Sequence, residues 1–138
     1  MKPERAAYIA YRLERSREAL RAAGILLDAG ALHSAVNRLY YACFYTVSAL
    51  VLTEGKGSSK HTGVRALFNR DWVRTGRVSD ELGRFYNSLL DRREDADYED
   101  LASFEAGQVR AWLEQATAFV AEITKLTEQL LATDAPAS

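Results

Sequence analysis

The chain has 138 residues, 19 acidic and 18 basic, for a formal net charge of −1. That length suits one domain with a real core, and the charge balance excludes a global pull toward nucleic acid or anionic membrane, so any RNA contact must be local. One cysteine, Cys43, excludes an internal disulfide and a cysteine metal cluster. Residues 4–29 place Ile9, Leu13, Leu20, Ala23 and Leu27 at helical spacing, and Gly30 is suited to close that helix. A central helix follows over about 32–54, ending at Glu54-Gly-Lys-Gly-Ser-Ser, a loop with two candidate helix caps. A short helix over about 60–72 turns Val64, Leu67, Phe68 and Trp72 inward and stops at Thr75-Gly76. Ser79 then caps a helix striped by Leu82, Phe85, Tyr86, Leu89 and Leu90, with Asp80 and Glu81 complementing its dipole. The charge cluster Arg92–Asp100 marks the break after it. The last helix, about 103–131, repeats Val109, Trp112, Ala116, Phe119, Ile123, Leu126 and Leu130.

No segment alternates with period two, so the expected fold is all-α: a helical bundle of residues 1–131 with a disordered tail, 132–138. The start, Met1-Lys-Pro-Glu-Arg, has no apolar run after it and predicts no signal peptide. The apolar stretch Leu39–Leu52 falls short of the roughly 20 residues a bilayer crossing needs, so no membrane partner and a cytoplasmic location are expected.

The central helix carries the chemistry. Between Asp28 and Glu54 its only full charge is Arg38, while Leu32, Val36, Leu39, Cys43, Val47 and Leu50, widened by Tyr40, Phe44 and Val51, leave almost no polar face. Such a helix belongs at the centre of the fold. An Arg in that setting needs a partner. Ser34, Tyr41 and Tyr45 share its side of the helix, with Asn37 at the edge. Two readings fit that strip: a buried polar network with Arg38 paired to an acid, or a phosphate site using the planar fork of donors that Arg presents.

Other templates fail. There is no Gly-rich phosphate loop and no His-Glu-x-x-His. His33 and His61, the only histidines, are too few for a His-rich zinc site, and the acidic run Asp95, Asp97, Glu99, Asp100 reads as solvated, so neither metal nor cofactor is expected.

Asn37-Arg-Leu-Tyr-Tyr-Ala-Cys-Phe44, Lys60-His-Thr-Gly-Val64, Thr75-Gly76 and Arg93-Glu-Asp-Ala-Asp-Tyr98 stand in the order and spacing of HEPN domains. From about residue 5 to 131 the chain resembles the small stand-alone bacterial and archaeal branch of that family. The resemblance implies a five-helix up-and-down bundle, commonly a homodimer, often encoded beside a minimal nucleotidyltransferase in toxin–antitoxin pairs. It also implies a metal-independent endoribonuclease whose motif is an Arg followed by a His, two protomers sharing one cleft. Arg38 matches the Arg, but the His position of this branch holds Tyr45. A phenol of pKa about 10 is a poor base at neutral pH.

By the same resemblance His61, beside Lys60, is the natural substitute for proton transfer. Asp97 and Tyr98 join the site, with Asp97 as the expected partner of Arg38 and Glu94 and Asp95 as competitors. Tyr41 and Tyr45 are candidates for nucleotidylation by analogy with related toxins. Three function classes follow. One is an endoribonuclease using Arg38 with Tyr45 or His61. Another is a module binding RNA or nucleotide phosphate through Asn37, Arg38, Tyr41 and Lys60, or partnering a nucleotidyltransferase. The third is a structural homodimer with Arg38 satisfied by an acid. The surplus of aromatic surface at Tyr40, Tyr41, Phe44 and Tyr45 itself predicts a homodimer with the central helix near its two-fold axis.

Overall fold

The computed structural model describes residues 1–98 and 103–133, with side chains excepted over 95–98. Five α-helices form an up-and-down bundle: α1 (Pro3–Asp28), α2 (Leu32–Leu52), α3 (His61–Phe68), α4 (Asp80–Tyr98) and α5 (Ala106–Thr133). A turn of π-helix, Asn69–Val73, continues α3. Pro3 opens α1, where its missing N–H leaves no bond unmade. Gly30, at φ 79°, turns the chain into α2, a conformation that costs a residue with a Cβ.

α2 is the hub. It packs against α1, α3, α4 and α5, and from Ala35 onward Val36, Leu39, Tyr40, Cys43, Val47 and Leu50 are fully buried. Ser16 of α1 donates its hydroxyl to the Ala42 carbonyl at 2.7 Å, which ties α1 to α2 at a fixed register. Burial pushes the Cys43 thiol far above its ordinary range, so it serves as core. Around this hub Phe68, Tyr86 and Phe119 join through ring contacts of 5.4 and 5.8 Å centred on Tyr86.

Three boundaries differ from the sequence expectation. Neither Ser58 nor Ser59 caps α3; Ser58 instead accepts the Lys60 N–H at 3.1 Å within the preceding turn. α4 runs through most of the charged stretch Arg92–Asp100, as far as Tyr98, and residues 99–102 lie outside the described ones. α5 extends to Thr133, into the segment expected to be tail, and residues 134–138 lie outside the described residues. Ser79 does cap α4, accepting the Leu82 N–H at 3.2 Å.

Candidate functional site

Arg38 stands half-buried on the outer edge of α2. Its Nε and Nη2 donate to Asn37 Oδ1 at 3.2 and 2.8 Å, and its Cζ lies 4.7 Å from the centre of the Tyr41 ring. Both partners come from the same helix within one turn, so α2 alone orients the guanidinium. Among the described residues Arg38 makes no ion pair. The fork is held flat by an amide and a ring, with no described carboxylate neutralising it.

The α3 start delivers His61 to the same place. Its ring sits 4.3 Å from Phe44 and 5.3 Å from Tyr41, so Arg38 and His61 both contact one tyrosine. Arg93 of α4 completes the wall, its Cζ at 5.5 Å from the Tyr40 ring and 5.7 Å from Tyr41. Burial, and then the charge of Arg93, lower the His61 pKa below its ordinary 6.5. The imidazole is therefore neutral at pH 7 and free to accept a proton. Beneath it Tyr40 stacks on Tyr86 at 6.0 Å. Burial pushes the Tyr40 phenol up to about 12, against smaller opposing effects of the Tyr86 hydroxyl and Arg93. The two buried hydroxyls lie near each other without closing a hydrogen bond of full geometry.

Tyr45 stands one step along the strip. It contacts Tyr41 at 5.8 Å, and its hydroxyl accepts from Arg15 Nη2 of α1 at 3.5 Å, with the Arg15 Cζ 5.4 Å from its ring. Its ring makes no contact with His61 comparable to those of Tyr40, Tyr41 and Phe44. Lys60 is exposed beside His61, and Ser34 is exposed above the strip.

The structure thus brings Asn37, Arg38, Tyr41 and His61 together, with Lys60 beside them and Tyr45 linked through Tyr41. The side chains of Asp95, Asp97 and Tyr98 lie outside the described ones, while Glu94 is exposed. Arg93 and Arg15 are the members that sequence reasoning passed over. Arg93 opens the block that was read for its acids, and Arg15 had no signal beyond its place on the polar side of α1. The aromatic surplus of α2 is partly absorbed within one chain: Tyr40 and Phe44 are buried by His61 and Tyr86, leaving Tyr41 and Tyr45 half-exposed. Among the described residues no cluster of His, Cys, Asp and Glu could hold a metal ion, and no helix is long and apolar enough to cross a membrane.

Comparison with known proteins bears on the same stretch. The HEPN domain model matches residues 9–126. A Thermotoga maritima protein of the UPF0332 group is 49% identical over 127 residues, covering 92% of this chain and 96% of its own. A Methanocaldococcus jannaschii protein named as a candidate toxin is 32% identical over 119 residues, 86% of this chain and 88% of its own. The crystal structure of a Thermus thermophilus protein shares the fold, with a TM-score of 0.65 and 22% identity over 88% of this chain and 97% of that one.

Proposed function

This chain belongs to the HEPN domain family, and from that premise we propose that it is a toxin-like HEPN protein acting on RNA phosphate as a metal-independent endoribonuclease. The observation that carries the reading is the Arg38 guanidinium, unpaired with any described acid and sharing Tyr41 with a neutral His61. In the step this arrangement suits, the ribose 2′-oxygen attacks the adjacent phosphorus while His61 takes the hydroxyl proton. Arg38, with Arg93 behind it, stabilises the extra negative charge on the phosphoryl oxygens. The 5′-oxygen leaves with a proton from water, giving a 2′,3′-cyclic phosphate and a 5′-hydroxyl. No metal is needed for that balance. Lys60 and Asn37 serve binding, Lys60 as an exposed phosphate contact and Asn37 as the holder of Arg38.

A second reading has its own support. The position that carries His in this branch is Tyr45, and its hydroxyl is engaged by Arg15, so proton transfer would rest on His61 alone. The protein would then bind a nucleotide or RNA phosphate without turnover, as the homodimeric partner of a minimal nucleotidyltransferase, in the cytoplasm. The kinship with a named candidate toxin fits either role. Incubating purified protein with RNA in EDTA decides between them. Cleavage that leaves cyclic phosphate ends and disappears in both Arg38→Ala and His61→Ala supports the nuclease. Binding without cleavage, weakened by Arg38→Ala but not by His61→Ala, supports the second. RNA and nucleotides bound equally by wild type and Arg38→Ala would defeat both.

A further inference from the structure

The outer side of α1 repeats Tyr8, Tyr11, Arg15, Glu18, Ala22 and Ile25, a spacing of three and four that makes a straight seam along a helix. Few large apolar side chains of the described residues are exposed, and three of them stand on this seam: Tyr8 at 61%, Tyr11 at 60% and Ile25 at 64%. Turned end for end, the seam matches itself. Tyr8 falls opposite Ile25, Tyr11 opposite Ala22, and Arg15 opposite Glu18. Each pair joins a first-type to a second-type seam position, the pairing that antiparallel helices use. The aromatic end would meet the aliphatic end, and the cation at the middle would meet the anion.

We propose that α1 pairs antiparallel with α1 of a second copy, about a two-fold axis passing between Ser16 and Arg17. The charge order is what selects a second copy as occupant. An isologous contact requires a patch complementary to itself, and here Arg15 of each chain faces Glu18 of the other on both sides of the axis. Within one chain these two already lie 3.0 Å apart and stay half-exposed, so the pair can be shared across the axis with little rearrangement. The shallow depression of about 440 Å³ bordered by Glu4, Ala7, Tyr8 and Tyr11 is almost wholly apolar and receives the partner's isoleucine. From Tyr8 to Ile25 the seam is about 26 Å long at the helical rise of about 1.5 Å per residue.

Because Arg15 also bonds Tyr45, the Tyr41–Tyr45 strips of both copies would flank the axis. The proposal rests on the homodimer of the preceding section for its stoichiometry, but not on any activity toward RNA.

The test is light scattering on the full chain without RNA, with circular dichroism to check folding. Wild type should be a dimer at high micromolar concentration, and Tyr8→Glu and Ile25→Glu, both exposed in the single chain, should run as folded monomers. Arg15→Glu and Glu18→Arg place like charges opposite each other in their own homodimers and should each weaken association about tenfold. Mixed together, the two charge variants regain opposite signs at both contacts and should form a heterodimer. A monomeric wild type, a dimer indifferent to Tyr8→Glu and Ile25→Glu, or charge variants that fail to associate on mixing would each overturn it. RNA cleavage in a protein that fails this test would leave the nuclease reading standing.

Discussion

Removing Arg38 strands no described acid, because its guanidinium leans on an amide and a ring from its own helix. Arg38→Ala should therefore shift stability by no more than about 1 kcal/mol, while RNA or nucleotide affinity falls; paired thermal melts and binding isotherms check both. A structural Arg sealed by a buried carboxylate would instead cost about 3–5 kcal/mol on removal. His61 gives the pH dependence. With its folded pKa held below 6.5, the neutral ring contributes stability that is complete above 6.5 and lost as pH falls through the lowered value. Cleavage should show an acid limb below 6.5, and Arg93→Gln, which removes one cause of the depression, should move that limb upward. An unchanged limb in an Arg93→Gln protein that still folds would remove His61 from the role of base. Tyr45→His replaces an engaged phenol with a group that titrates near neutrality. It should raise initial cleavage rates several-fold in EDTA, measured against wild type on the same RNA.

The elements follow the periodicity of the sequence closely where burial decides them, and depart from it where neighbours do. α2 was legible because an apolar pattern almost all round a helix has one physical solution, the centre of a bundle. The charge cluster Arg92–Asp100 reads as a break, yet α4 continues into it as far as Tyr98, Arg and Glu being good helix formers. Arg92 donates to Ser88 Oγ at 2.6 Å and covers Trp112 at 4.4 Å, while Arg93 faces two tyrosines. The ring contacts come from α2 and α5 and leave no local trace in the sequence. The π turn is equally silent: it is a change of backbone pairing, and at its start Asn69 exchanges reciprocal side-chain amide bonds of 3.2 and 3.4 Å with Asn87. Where the stripes were read correctly, the energetic consequence is direct. Leu89 and Phe119 are fully buried on facing helices, so Leu89→Ala and Phe119→Ala should each cost about 2–5 kcal/mol. Denaturant midpoints that stay near wild type in both would mean the α4–α5 packing is misassigned.

At the scale of the whole molecule, the site is assembled from four helices, and only its α2 members could be seen as a set in advance. Spacing along one helix predicts which residues share a face, so Arg38, Tyr41 and Tyr45 were visible as a strip. Which loop histidine or distant arginine closes on that strip depends on the packing of α1, α3 and α4, for which spacing carries no information. The same packing gives the protein two internal lamps. Trp72 is 1% exposed and stacks beneath Arg77 at 3.6 Å, where the π turn meets the loop into α4. Trp112 is half-buried on α5, edge-on to Phe104 at 5.7 Å and covered by Arg92. Excited together, they report two different neighbourhoods of one fold; excited singly, in Trp112→Phe and Trp72→Phe chains, they can be read as separate clocks. If the bundle opens as a unit, both emission signals fade at one denaturant concentration; if the α4–α5 end loosens first, the light from Trp112 changes while that from Trp72 holds.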